Sequence, residues 1–277
     1  MFIVTVHDLS NLEKLKQAGY DAVILGIENL SIRMDRCVSL QDVQVWKDEC
    51  NKFGLKLFIN AVKLFMEDEM DFVKEALSVC KEEDVDGIYF SDEGLLWEAK
   101  LLGLENKCIY QPETLVANHN DVKFYLEQGV QSVSLAHELS LEEIQKIASY
   151  TSNVEVLIHG YFSICYSRRP LVKNYLDAIG SEAPIKKYDL IESTRSGRMP
   201  IVQDENGTHV YSEKPMSSIE ELDVLKSAGI QRFRVDSIFK NDDWAVSVLN
   251  MYKHKLEDTE GSSHLYHQET ILKKEGQ

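Results

Sequence analysis

The sequence predicts an α/β chain folded as a (β/α)8 barrel, and three observations predict it. One helix-to-strand junction recurs four times, as "AGYDAVILG" (residues 18–26), "EDVDGIYFSD" (83–92), "QGVQSVSLAH" (128–137) and "AGIQRFRVDS" (228–237), which marks a repeated unit. Four more short apolar runs lie between these copies: "FIVTV" (2–6), "KLFINAV" (56–62), "KCIYQ" (107–111) and "VEVLIH" (154–159). All eight are too continuously apolar for a half-exposed antiparallel sheet and suit a parallel one covered by helices. Strand and helix alternating eight times is the pattern of a TIM-like barrel.

Taken in order, the first strand opens the chain at residues 2–6, and each later strand follows a helical stretch. Three helices carry start signals: Ser39 with Asp42 as a weak capping box, Ser140 with Glu143, and Ser217 with Glu220,. The interval after His159 breaks the rhythm. It holds a helical stretch after Pro170, then "KYDLIES", "MPIVQD" and "THVYSE" joined by "TRSGR" and "ENG", the marks of a small antiparallel β insertion between strands 7 and 8. We therefore expect one domain over residues 1–260, an insertion at about 161–215, and a polar, frayed tail over 261–277.

With 277 residues, 44% hydrophobic and 27% charged, the chain can bury a full core,. A formal charge of -16 repels phosphate polymers and anionic membrane surfaces, so any RNA contact is local or shared with a partner,. The N-terminus "MFIVTVHDLS" lacks the basic and apolar regions of a secretory signal, and no apolar run reaches a membrane span, so a cytoplasmic protein is expected,. Cys37, Cys50, Cys80, Cys108 and Cys165 are odd in number and contain no CxxC pair. They read as reduced thiols rather than as disulfides or a zinc knuckle.

Ligands of such a barrel bind at the C-terminal ends of the strands. The residues there are His7 and Asp8, Glu28 and Asn29, Asn60, Asp92 and Glu93, Gln111, His137 and Glu138, His159 and Gly160, and Asp236 and Ser237. Their succession suits a polar pocket. A nucleophilic reading would take Cys165, Ser163 or Ser167 with His159 as base and Glu138 or Asp236 as orienting carboxylate, although no motif demands such a dyad,. His7, His137 and His159 form no HxH or HxxxH pair, so no metal site is expected,. Residues 161–200 carry seven Lys or Arg against four acids, a local +3 in a chain whose remainder is -19. Interleaved tyrosines make that stretch a candidate for phosphate and base contact, against the plainer reading of a solvated face.

"VEVLIHGYFSICYSRRPLVKNYL" (154–176) resembles the signature of peptidase family U32, the collagenase-like proteases, which reads E-x-F-x-H-G-A-[LM]-C-x-S-Y-S-G-x-C-x-[LM]-S. "GYDAVILGIENLSIRMD", "INAVKL", "GIYFSDEGLL", "LAHELSLEEIQKI" and the stretch from "MPIVQD" to "FRVDS" are similar to other segments of the family. The resemblance implies that Glu155, His159, Gly160, Tyr166, Ser167 and Arg169 keep the signature, and that Arg33, Asn60, Asp92, Glu138 and, with a shorter acid, Asp236 keep family positions. Ser163 and Pro170 stand in the two cysteine places and Cys165 on a serine place. Arg168 replaces a glycine and His137 an arginine.

Better-understood family members are oxygen-independent hydroxylation proteins, several of which hold an iron–sulfur cluster through such cysteines. Because a cluster needs about four thiolates, the resemblance implies no cofactor in this chain. The "YSRRPLV" form resembles the short, cysteine-poor subunit of a bacterial pair that 5-hydroxylates the wobble uridine of tRNA, with prephenate as a required metabolite. The implied function is an accessory or pseudoenzyme subunit in RNA modification. Its partners would be a longer, cysteine-bearing homologue and, indirectly or through an Arg168/Arg169 loop, tRNA. Arg33, Asn60, Asp92, His137, Tyr166, Ser167, Arg168 and Arg169 would contact substrate or partner, and His159, Glu138 and Asp236 are the catalytic candidates. The alternatives are a collagenase-like peptidase, that is a hydrolase, or a metabolite-binding barrel.

Overall fold

The computed structural model describes residues 1–184, 187–191, 193 and 197–268. Eight parallel strands close on themselves: β1 (Phe2–Thr5), β2 (Ala22–Gly26), β3 (Lys56–Ala61), β4 (Gly87–Phe90), β5 (Cys108–Tyr110), β6 (Ser132–Ser134), β7 (Val154–Gly160) and, late in the chain, β13 (Arg232–Asp236). β13 pairs with both β7 and β1, and β6 pairs with β7, so no barrel edge is left open,. Every strand expected from the sequence is present.

Around the barrel lie α1 (Leu12–Ala18), α2 (Val43–Phe53), α3 (Met70–Glu82), α4 (Glu93–Leu101), α5 (His119–Glu127), α6 (Leu141–Ala148), α8 (Leu222–Ser227) and α9 (Asp242–His254). The strands are buried on both faces because their outward residues meet these helices while Ile3, Ala22, Ile24, Phe58, Tyr89 and Ile109 fill the lumen. Local signals set the helix ends. Gly19 stops α1 at φ 112°, its N–H reaching the carbonyls of Leu15 and Lys16,. At α6 the Ser140 hydroxyl accepts from the Glu143 N–H, and the Glu143 carboxylate accepts from the Ser140 N–H at 2.9 Å.

The other two expected capping boxes do not form. Ser39 precedes a 3-10 turn and turns its hydroxyl to Gln41, while Ser217 lies in the short strand β12 (Met216–Ser217), paired antiparallel to β7. α8 begins only at Leu222. In both places a competing backbone or side-chain partner holds the serine away from the helix start.

The insertion lies within the expected bounds but has one strand more than the expected meander. β8 (Ser163–Ser167), β9 (Tyr188–Ile191), β10 (Arg198–Asp204) and β11 (Gly207–Tyr211) form an antiparallel sheet in the order β8-β11-β10-β9, with α7 (Leu171–Ala178) beside β11. The signature segment, expected as a loop at the barrel mouth, is thus a strand, and Cys165 faces Val210 in register. Gly160 makes the corner between β7 and β8 at φ 123°. A side chain there would put its first carbon 2.0 Å from the Asp236 carbonyl oxygen,.

The tail also departs from expectation where it is described. Ser262 exchanges backbone hydrogen bonds with Ser217 and Pro215, and Tyr266 is buried with its hydroxyl 2.8 Å from Ser218 Oγ. The Ser262 backbone pairing, Leu265 packed on the core and the Tyr266 anchor hold this stretch to the barrel; residues 269–277 lie outside the described residues. Among the described residues no helix is long and apolar enough to cross a membrane.

Ser140→Ala removes half of the reciprocal cap on α6. Its urea midpoint should fall by the equivalent of about 1 kcal/mol with an unchanged m value.

Candidate functional site at the barrel mouth

Two arginines on alternate positions of β13 point the same way, into the lumen, because side chains alternate along a strand. Arg232 and Arg234 meet there with Glu155 of β7, whose carboxylate is fully buried. Glu155 Oε2 lies 3.3 Å from Arg232 Nε and accepts from the Tyr89 hydroxyl at 2.7 Å, and its Oε1 lies 3.4 Å from Arg234 Nε. Arg234 also reaches Asp236 Oδ2 at 3.4 Å and Glu113 Oε1 at 3.7 Å. Burial raises the Asp236 carboxyl to about 6 against the pull of Arg234,.

Glu113 carries the network up to the mouth. It follows β5, with a backbone φ of 71°, and its carboxylate accepts from Gln111 Nε2 at 2.6 Å and pairs with His137 Nε2 at 2.8 Å and Arg33 Nη2 at 3.2 Å. Burial would raise its carboxyl, but Arg33, His137 and Arg234 outweigh it and hold it well below the usual range. Arg33 itself sits at φ 60°, an uncommon conformation for a residue with a side chain.

The insertion sheet covers one side of this mouth. An open cavity of about 160 Å³ lies between them, lined from the barrel by Arg33, Val62, Leu64, Gln111, Glu113 and Leu115, and from β8 by residues 163–166. Arg168 fastens the cover. Its guanidinium donates to the Leu64 carbonyl at 2.5 Å and to Glu69 at 2.9 and 3.4 Å, and Glu69 is shared with Lys63 at 2.6 Å. Burial opposes ionisation of Glu69, yet the hydrogen bonds from Arg168 and Lys63 bring its carboxyl down to about 2. Behind β8, the Tyr166 ring stacks on His209 at 4.6 Å. Burial and the nearby Arg33 charge lower His209 to about 4.

The residues expected from the sequence divide accordingly. Arg33, His137, Tyr166 and Asp236 gather at the mouth and lumen. Asn60 stands beside them and ties the Arg33 segment down, donating to the Ile32 carbonyl at 3.3 Å and accepting from the Val62 N–H at 3.4 Å. Asp92 caps α4 through the N–H groups of Gly94 and Leu95 and also accepts from Phe65 N–H at 3.0 Å. Ser167 accepts from the Arg169 N–H at 3.2 Å. Arg168 is engaged by Glu69, whereas the Arg169 side chain is exposed and has no hydrogen bond or ion pair among the described residues.

His159 and Glu138 lie elsewhere. His159 is packed between Trp244 and Tyr252, with Asp258 Oδ2 3.6 Å from Nε2, and burial lowers it to about 4. Glu138 is exposed, on a separate cleft beside Ser212 and Lys214. Neither joins Cys165, Ser163 or Ser167, and among the described residues no imidazole hydrogen-bonds to any of the three. The expected catalytic grouping is therefore not assembled. Of the basic stretch, Lys186 and Arg195 lie outside the described residues.

Glu113, Arg232, Arg234, Tyr89 and His209 are the members that the sequence reading missed. For Arg232 and Arg234 a signal existed: two arginines two apart in "RFRVD", and one glutamate in the apolar "VEVLIH", are charges on one face of strands buried on both sides,. Glu113 and His209 left no such mark, since each reaches the mouth through tertiary packing.

Two measurements check this electrostatics. Glu155→Ala leaves Arg232 and Arg234 without their shared counter-ion and should lower unfolding free energy in urea by about 3–5 kcal/mol. His159 and His209 are held neutral in the fold, with values of about 4 against 6.5 when exposed. Their stabilising contribution is complete above pH 6.5 and is lost as the pH falls toward 4, each by up to about 3 kcal/mol. Asp236 acts in the opposite sense, its folded value of about 6 lying above 3.8, so stability gained from it grows as the pH drops through that window. His209→Phe, which keeps the stack on Tyr166, should flatten the decline of melting temperature between pH 6.5 and 4; an unchanged slope would refute the assignment.

Comparison with known proteins agrees with this architecture. The model of peptidase family U32 matches residues 7–275. The chain is 27% identical over 262 residues to tRNA hydroxylation protein P2 of Bacillus subtilis, covering 92% of this chain and 85% of that protein. It is 23% identical over 254 residues to tRNA hydroxylation protein P1 of the same organism, covering 88% of this chain but only 60% of the longer relative. A collagenase of Porphyromonas gingivalis is 19% identical over 87% of this chain and 61% of that one. Among solved structures, a U32 peptidase superposes with a TM-score of 0.54 at 12% identity, covering 85% of this chain and 91% of that one, a likeness of fold alone. By its sequence match across nearly its full length, the chain belongs to peptidase family U32.

Proposed function

We propose that this chain is the short, accessory member of a two-chain system that 5-hydroxylates the wobble uridine of tRNA, working with a longer, cysteine-bearing homologue. The observation that carries the reading is its end-to-end similarity to tRNA hydroxylation protein P2, alongside a weaker, partial similarity to the longer P1 of the same bacterium. Prephenate enters as a metabolite of the paired system, and tRNA contact is indirect or runs through the exposed Arg169.

The thiols support a non-catalytic role. An iron–sulfur cluster needs several thiolates brought together, and the residues present do not fit one. Ser163 and Pro170 replace the two signature cysteines, Cys165 is exposed on β8, and Cys50, Cys80 and Cys108 are buried between helices and strands, where desolvation pushes each to about 12. Cys37 is raised to about 11 by burial and neighbouring acids. These are protonated packing groups. A peptidase reading finds no support in the site, because Cys165 has no base beside it among the described residues.

Deleting the gene in its host should abolish or strongly reduce wobble 5-hydroxyuridine in digested tRNA analysed by mass spectrometry, and tagged protein should co-purify with a longer family member. Unchanged modification together with no such partner would sink the proposal.

A further inference from the structure

Arg33 is a five-donor guanidinium whose side chain is only 10% exposed, yet it makes no hydrogen bond among the described residues,. Its Nη2 stands 3.2 Å from Glu113 Oε1 without hydrogen-bond geometry. Glu113 does not need that fork, since its oxygens already receive Gln111 and His137. Directly behind Tyr166, His209 is 1% exposed with both ring nitrogens unpartnered. Buried polar groups are normally satisfied, and each one left open costs about 1–3 kcal/mol. An Arg33 fork left open on the lining of a cavity marks a place where something else supplies acceptors.

The cavity defines what that is. Its volume, about 160 Å³, admits a few waters or one small organic molecule,. One end offers Arg33 and Gln111, with Glu113 beside Arg33 and its oxygens already engaged, while Val62, Leu64, Leu115 and Ile164 supply an apolar portion of an otherwise mixed lining. A planar fork recognises a planar pair of oxygens in bidentate fashion. We propose that this cavity is a binding site for a small carboxylate with an apolar body, its carboxylate on Arg33 and its body between Leu64 and Ile164. The site deepens the functional reading by giving this chain a ligand of its own. Its test uses the chain without partner or RNA, so its failure leaves the partnership untouched.

Cys165, exposed on the same lining, supplies the readout. Acetate, benzoate, succinate and inorganic phosphate serve as probes at up to about 50 mM, the range of weak affinities. Benzoate at ten times its Kd should slow labelling of Cys165 by a thiol reagent about tenfold and raise the melting temperature, while benzamide should do neither. Arg33→Lys keeps the charge beside Glu113 but loses the fork, and should weaken benzoate about tenfold. Ile164→Trp alters a partly exposed strand residue and should abolish protection by filling the cavity. Equal protection by benzamide, undiminished binding in both variants, or no protection of the native chain by any carboxylate would each overturn the site; protection by phosphate alone would overturn the carboxylate assignment.

Discussion

The barrel is organised around one buried carboxylate. Glu155 is the counter-ion of both Arg232 and Arg234, and the Tyr89 hydroxyl completes its coordination from across the lumen. Most barrels of this class fill their interior with branched apolar side chains. Here the apolar layer of Ile3, Ile24, Phe58 and Ile109 surrounds a charged axis instead. A lone charge in such a place would be intolerable, so the arginines fix where the acids must be. The same constraint runs outward. Arg234 needs Glu113 and Asp236, and Glu113 in turn holds Arg33 and His137 at the mouth.

The insertion is held to this axis at three points of different chemistry. Gly160 lets β7 turn directly into β8 while the Asp236 carbonyl lies against its Cα, a closeness that no side chain would permit. Arg168 grips Glu69 and the Leu64 carbonyl on the far side of the mouth. Between them Tyr166, stacked on His209 within the insertion sheet, packs against the lumen cluster. A basic segment in an acidic chain thus spends one of its arginines on an internal contact. Arg169, Lys173 and Arg198 face outward from the same segment.

The fold was legible because it rests on periodicity: continuous apolar runs for strands buried on both faces, and one junction repeated four times. The register of the lumen charges was legible in principle, since "RFRVD" and "VEVLIH" place their charges on alternating positions. The site was only partly legible. His137 and Asp236 stand at the ends of barrel strands, and their common location follows from the barrel, whereas Arg33, in the loop after β2, and Tyr166, in the insertion, were indicated by the family resemblance. Glu113 and His209 come from a loop and from the insertion, and nothing local to either records that they meet. Ser217 and the stretch after residue 260 were misread for the same reason: β12 and the Tyr266 anchor are set by contacts with β7 and Ser218, far away in sequence.

The retained part of the family signature also gains a physical meaning. Glu155 balances the lumen, Gly160 makes the corner, Tyr166 covers His209, and Ser167 receives the Arg169 amide that begins the turn into α7. His159 packs against Trp244 and Tyr252 with Asp258 beside it, behind the strand rather than in the cavity. Each retained residue has a structural duty in this chain. Of the positions that depart from the signature pattern, Arg168 grips Glu69 and His137 pairs with Glu113, whereas Ser163 is a buried start of β8 and Pro170 fits the position just before α7, where a backbone N–H would have no helical partner,. Glu155, Gly160 and Tyr166 thus keep the shape of the mouth, and two positions that depart from the signature pattern, His137 and Arg168, are built into the same geometry through Glu113 and Glu69.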